Sequence, residues 1–132
     1  MEYHLDTNIC AAAMKGHPEV NRRLLQRVGQ LYVSTIVLAE LYAGCYHSQR
    51  REENLAVLED FIAGVDGLAF DAKAAREYGL IDAELLAIGR PTGEKDGLIA
   101  AVARARGGVI VTHNVRHFEN ISGLVIEDWL MP

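Results

Sequence analysis

Three carboxylates stand where the surrounding sequence is apolar. Asp6 closes the first apolar stretch, in Tyr3-His4-Leu5-Asp6-Thr7-Asn8. Glu40 lies inside Ser34-Thr35-Ile36-Val37-Leu38-Ala39-Glu40-Leu41, and Asp96 opens an apolar run in Glu94-Lys95-Asp96-Gly97-Leu98-Ile99-Ala100-Ala101. An ionised carboxylate among apolar groups must be paired, hydrogen-bonded or neutralised. Each of the three has an ordinary explanation. Asp6 can cap a helix, Glu40 can form one half of a salt bridge, and Asp96 can be a first-turn acid favoured by the helix dipole. One fold that gathers all three is a simpler account than three coincidences. Once gathered, they repel one another and cannot all stay ionised unaided. A divalent cation relieves that repulsion, and hard oxygen donors with little Cys or His available point to Mg2+ or Mn2+.

The apolar spacing around these residues alternates short runs with helical ones. Tyr3 to Leu5 reads as a first strand. A helix follows near 18 to 29, with Pro18 in its first turn and Val20, Leu24, Leu25 and Val28 on one face. Leu31 to Val33 is a second strand, after which Ser34 or Thr35 caps a helix running to about Tyr46. A helix over about 51 to 63 turns Leu55, Leu58, Phe61 and Ile62 inward. Leu68 to Phe70 reads as a strand, Ala72 to about Ile88 as a helix, and Gly89-Arg90-Pro91-Thr92-Gly93 as a loop. A helix over about 94 to 106 stops at Gly107-Gly108. Val109 to Thr112 and Leu124 to Ile126 are the last strands.

This alternation predicts an α/β fold of three layers, with a mostly parallel central sheet flanked by helices. Such sheets build their sites beyond the carboxyl ends of the strands. Asp6 and Thr112-His113-Asn114 both follow strands, and the helices bearing Glu40 and Asp96 must return to the same rim. No repeat or linker interrupts the 132 residues, so one domain spanning 1–132 is expected.

Composition narrows the function classes. No apolar run reaches the roughly 18 residues needed to span a bilayer, and no secretory signal opens the chain. A cytoplasmic protein is expected, with its two cysteines, Cys10 and Cys45, reduced and buried. The 13 basic and 18 acidic residues leave a net charge of −5, which argues against a lysine-coated duplex binder. It does not argue against a nuclease, because carboxylates that bind metal count as negative while the loaded site attracts phosphate. Arg22, Arg23 and Arg27 share one expected helix, and Arg50 and Arg51 sit together. These arginines are either contacts for RNA or an acidic partner, or solvated surface.

The same residues carry a family resemblance. Leu5-Asp6-Thr7-Asn8, Thr35 to Leu41, Gly89 to Ala101 and Thr112 to Trp129 resemble the PIN domain, and more narrowly the VapC toxins of type II toxin–antitoxin pairs. The likeness covers nearly the whole chain in order and spacing. It implies a Mg2+- or Mn2+-dependent ribonuclease acting on RNA, with tRNA favoured, together with a VapB-like antitoxin and a homodimer. By motif position Asp6, Glu40 and Asp96 match the family's acidic metal site. Its fourth catalytic position, often Asp, falls on Asn114, which adds an amide oxygen but no charge. Lys95 and His117 depart from the pattern. Lys95 stands where an uncharged residue is common, and is either a phosphate contact or a solvated first-turn lysine. His117 stands where many relatives are acidic.

Around this site Thr7, Thr112 and Asn8 offer groups that could fix ligands or water. An antitoxin is expected to pair an Arg or Lys with Asp6, Glu40 and Asp96. Its apolar segment is expected on a groove near the 18 to 29 and 36 to 62 helices. His113 and His117 have the i, i+4 spacing of zinc sites but lack the intervening Glu of a metalloprotease. His4 is expected in the core, and Tyr32, Tyr42, Tyr46 and Tyr78 in the core or an interface. Other functions fit parts of the pattern. A haloacid-dehalogenase-like phosphatase wants a second Asp two residues after Asp6, where this chain has Asn8. A PIN nuclease of RNA processing and a non-catalytic interaction domain share the expected fold.

Overall fold

Strands of three or four residues cannot stand alone, and here five of them pair into one sheet. The computed structural model describes residues 1–131. In chain order the elements are β1 (Tyr3–Leu5), α1 (Thr7–Met14), α2 (Pro18–Gln26), β2 (Leu31–Ser34), α3 (Thr35–His47), α4 (Arg51–Ile62) and β3 (Asp66–Leu68). There follow α5 (Ala72–Ala87), α6 (Glu94–Ala105), β4 (Val109–Val111), α7 (Val115–Phe118) and β5 (Val125–Glu127). The strand order is β3-β2-β1-β4-β5, and every pairing is parallel. Helices α1 to α4 pack among themselves, and α6 packs on α5 and α7 while also meeting α3, the grouping that right-handed crossovers between parallel strands in this order require.

This order fixes where a site can form. From β1 the chain steps to β2 and then β3, and it returns past β1 to β4. The sheet order therefore reverses between β1 and β4, and the crevice beyond their carboxyl ends is where such folds bind ligands. The register is Tyr3 with Val109, His4 with Ile110 and Leu5 with Val111. It brings the residues after the two strands, Asp6 and Thr112, side by side. The Asp6 amide donates to the Val111 carbonyl at 2.9 Å, which extends the ladder to the rim. Beneath the rim Leu5, Ile9, Val33, Val37, Leu58, Ile81, Ile110, Phe118 and Trp129 are fully buried.

The expected parallel sheet is present, with all five strands parallel. The elements depart from expectation at several places. No helix was placed over Thr7–Met14 or Val115–Phe118, although Asp6 caps α1 as one reading of it allowed. The third strand lies at Asp66–Leu68 instead of 68 to 70, because Tyr32, Val33 and Ser34 pair with Asp66, Gly67 and Leu68. The Phe70 amide instead donates to the Thr35 hydroxyl. The last strand is shifted one residue, to Val125–Glu127. Helix α2 stops at Gln26, leaving Leu25 and Val28 more than two-thirds exposed beside a groove of about 430 Å³ that Leu24, Phe61 and Val65 also line. Cys10 and Cys45 are free and buried, and burial pushes the Cys10 thiol well up. Among the described residues no helix is long and apolar enough to cross a membrane.

The end of the sheet opposite the site is tightly closed. His4 is buried against Tyr32, with its ring stacked at 5.6 Å and its Nε2 3.0 Å from Glu2. Gly108 lies directly against it. A Cβ there would sit 2.5 Å from the His4 ring and 3.1 Å from the Glu2 carbonyl oxygen. Gly108→Ala is expected to destabilise the fold by about 1–3 kcal/mol through overpacking. In urea titration the midpoint should fall with an unchanged slope.

Candidate active site

Asp6 is placed by two elements at once. It ends β1 and caps α1. Its Oδ1 accepts the Thr7 amide at 2.8 Å, and its Oδ2 accepts the Thr112 hydroxyl at 2.7 Å. The side-chain amide of Asn8 lies 3.4 Å from both Asp6 Oδ2 and Thr112 Oγ1, while its Oδ1 accepts the His113 amide at 3.0 Å. Thr112 Oγ1 in turn accepts the Asn114 amide at 3.0 Å. Asn8 and Thr112 thus lock the ends of β1 and β4 together around one carboxylate that is only 4% exposed.

Glu40 and Asp96 approach from helices on either side. Ser34 caps α3 by accepting the Val37 amide, and the apolar residues Val37 and Leu41 bury the helix. That orientation carries Glu40 to the rim, where its Oε1 accepts the Thr7 hydroxyl at 3.1 Å. Asp96 lies in the first turn of α6, beside the buried run from Ile99 to Ala103. Both carboxylates act on Asp6. Burial pushes the Asp6 carboxyl above its ordinary range, and the charges of Asp96 and Glu40 push it further; hydrogen bonds from Thr112 and Thr7 oppose the shift. Thr7 joins Asp6 and Glu40 through its amide and its hydroxyl, and Asp96 faces the same rim from the first turn of α6.

Each carboxylate nevertheless has its own partner. Lys95 Nζ lies 3.8 Å from Glu40 Oε2, and His117 Nδ1 lies 2.8 Å from Asp96 Oδ2. Among the described residues, no three His, Cys, Asp or Glu side chains are drawn close enough together to hold a metal ion. The donor chemistry still fits a hard cation, since the three carboxylates and the Asn114 amide offer oxygen. Asn114 is exposed just beyond β4, and its side chain does not cap α7. His113 and His117 do not converge as the i, i+4 spacing suggests, because His113 Nδ1 lies 3.0 Å from Asp128 rather than beside Asp96.

The PIN domain family model matches residues 3–124. The chain belongs to the PIN domain family. It is 45% identical over 130 residues to a tRNA(fMet)-specific endonuclease VapC of Shigella flexneri, covering 98% of each chain. It is 41% identical over 131 residues to the Ribonuclease VapC2 of Haemophilus influenzae, covering 98% of this chain and 99% of the other. Its fold superposes on a DNA-bound VapBC structure from Salmonella typhimurium with a TM-score of 0.93, at 42% identity and 98% coverage of both chains. A VapBC2 structure from Rickettsia felis bound to a promoter DNA fragment gives a TM-score of 0.92 at 36% identity, covering 98% of this chain and 99% of that one.

In this PIN domain, sequence reasoning named the three carboxylates, Thr7, Asn8, Thr112 and Asn114. It did not find the pairing of His117 with Asp96 or of Lys95 with Glu40, since neither spacing repeats a local pattern. The His113–Asp128 contact was also missed, although Asp128 stands within the quoted Thr112 to Trp129 segment.

The raised pKa of Asp6 has a sign that can be tested. The folded protein holds the Asp6 proton more tightly than the unfolded chain, so this group's stabilisation is complete only in acid and is lost as pH rises through the folded value. Asp6→Asn keeps the neutral form at every pH. In chelator it is expected to melt above wild type at neutral pH, with the gain fading towards about pH 4. A thermal-melt series across pH checks this, and a pH-independent difference would contradict it.

Proposed function

We propose that this PIN domain is a Mg2+- or Mn2+-dependent endoribonuclease, the toxin of a VapBC-type pair, and that it cleaves a tRNA in the cytoplasm, with initiator tRNA the leading candidate. One observation carries the reading: beyond the central strand Thr7 joins buried Asp6 to Glu40 through its amide and its hydroxyl, and Lys95, the neighbour of Asp96, lies 3.8 Å from the same Glu40. Carboxylates gathered at one rim repel one another and suit a site that takes up positive charge. The identity of the chain to endonucleases of this family supports the substrate class.

Asp6, Glu40 and Asp96 would hold the cation, and Asn114 would add a neutral oxygen. When bound, a divalent cation lowers the pKa of a coordinated water and stabilises charge on the reacting phosphate. The chain's own residues do the positioning. Thr112 and the Thr7 amide fix both oxygens of Asp6. The Thr7 hydroxyl orients Glu40. Asn8 ties the loop after β4 to α1, so Asn114 is presented from a braced backbone.

The apolar groove formed by Leu24, Leu25, Val28, Phe61 and Val65 is where an antitoxin's apolar segment would lie. An Arg from the same partner would reach the carboxylates. Leu80 and Leu86 on α5 and Ile88 just beyond it are exposed apolar surface available to a second copy in a homodimer.

The purified chain should cleave initiator tRNA in millimolar Mg2+ and stop on chelation. Asp96→Asn should lower the rate by about a hundredfold or more. The same ion at a hundredfold excess over Kd should stabilise wild type by about 2.7 kcal/mol, and Asp96→Asn less. Co-expression with the adjacent small reading frame should yield a complex that does not cut. Mapping cleaved ends in total RNA checks the substrate, and cleavage in chelator would overturn the metal-dependent reading.

Asn114 separates a three-carboxylate site from a four-residue one. Asn114→Ala should lower activity about tenfold or more with the fold intact. Asn114→Asp should keep activity and tighten Mg2+ binding, because it adds a hard anionic oxygen. Full activity in Asn114→Ala, measured beside an unchanged melting curve, would restrict the site to Asp6, Glu40 and Asp96.

A further inference from the structure

We infer that Lys95 is a phosphate-binding residue of this site: its ammonium, hung beside Glu40, engages the RNA backbone next to the point of cleavage. The inference rests on the ribonuclease reading above and adds to it a specific contact to substrate.

Its place argues for this. Lys95 directly precedes Asp96 in the first turn of α6. Its side chain is 72% exposed, and its ammonium stands 3.8 Å from Glu40 Oε2, while the other Glu40 oxygen accepts the Thr7 hydroxyl. The positive charge therefore lies at the open mouth of the carboxylate site. Among the described residues, no other Lys or Arg comes within ion-pair distance of Asp6, Glu40 or Asp96.

Its contribution to the fold is small. A separation of 3.8 Å is too long for a hydrogen bond, and an exposed, solvent-screened ion pair adds little stability. The first turn of a helix also disfavours a cation. The neighbouring first-turn residues Glu94 and Asp96 have the favoured sign, and the N-cap Gly93 gives no side-chain hydrogen bond. Lys95 therefore opposes the dipole of its own helix.

Substrate binding supplies the gain that folding does not. RNA is a polyanion approaching three carboxylates on a chain of net charge −5. One divalent cation would leave that cluster one charge negative, and Lys95 brings it to neutrality. The lysine stem is flexible and its ammonium carries three donors, so it can leave a long contact with Glu40 for a phosphate oxygen. A lysine that merely competed with a cation for Glu40 would do the opposite, and its removal would raise activity.

Two variants of the full chain decide between these. Lys95→Met removes the charge and keeps the bulk, and Lys95→Arg keeps the charge. The probe is a fluorescein-labelled initiator tRNA transcript. In Mg2+, Lys95→Met is expected to raise KM about tenfold with kcat within about twofold, and Lys95→Arg to restore most of the loss. Binding is read separately in an Asp6→Asn background, which removes cleavage. There Lys95→Met should weaken affinity by a similar factor and reduce the slope of log affinity against log salt by about 0.7–0.9, the loss of one phosphate contact. An unchanged salt slope, a loss confined to kcat, or a gain in activity would overturn the inference. Failure of wild type to cut any RNA would instead overturn the ribonuclease reading. In that event the salt slope still decides whether Lys95 touches RNA.

Discussion

The fold is organised around the burial of one carboxylate at the end of its central strand. Asp6 is almost inaccessible to water, yet an ionised group there must be compensated. The compensation comes from both neighbouring structures: the Thr7 amide at the start of α1 and the Thr112 hydroxyl at the end of β4. The Thr7 amide is local to the cap of α1, but the Thr112 hydroxyl is in place only when β1 and β4 pair in their observed register, because Leu5 must lie opposite Val111 for Asp6 to meet Thr112. A slip of one residue would turn the side chains to opposite faces and take the Thr112 hydroxyl away from the carboxylate. The site and the sheet therefore specify each other.

Hydrogen bonding also explains the rigidity of the rim. Thr112 Oγ1 donates to Asp6 and accepts from the Asn114 amide, so one hydroxyl joins the carboxylate to the loop that follows β4. Asn8 uses both ends of its amide, approaching Asp6 and Thr112 with its nitrogen and accepting from His113 with its oxygen. Polar networks of this kind hold geometry well only when their members are satisfied. At the rim they are, through side chains and backbone from two strands. Trp129 supports the far side of β5 in the same way, with its indole N–H donating to Glu127 while the ring packs on Tyr3.

Much of the architecture was legible because strand–helix alternation and caps are local signals. Ser34 and Pro18 stand where α3 and α2 begin, and Gly107 and Gly108 follow the end of α6. The failures have physical reasons. Helix α1 reads Thr-Asn-Ile-Cys-Ala-Ala-Ala-Met, and its small residues give little apolar period. Helix α7 is a single turn. Strand β3 lies on the sheet edge, where its position follows from pairing with β2 rather than from the apolar run Leu68 to Phe70. At the site, the unusual placement of Asp6, Glu40 and Asp96 could be read directly. Which of Lys95 and His117 lies beside which carboxylate could not, since α3, α6 and α7 meet only in three dimensions.

Those pairings give the site an order. Asp6, the innermost carboxylate, is satisfied by neutral donors that belong to the fold and do not leave it. Glu40 and Asp96 are met by Lys95 and His117, side chains that are themselves more than half exposed. Contacts of the first kind resist change, because breaking them strands a buried charge. Contacts of the second kind are screened by water and salt, and exchange at little cost. The rim thus presents one carboxylate fixed by the fold and two whose partners are exposed side chains. The order of the rim therefore follows from its partners: Asp6 is bound by groups of the fold itself, whereas Glu40 and Asp96 are met by side chains that solvent reaches.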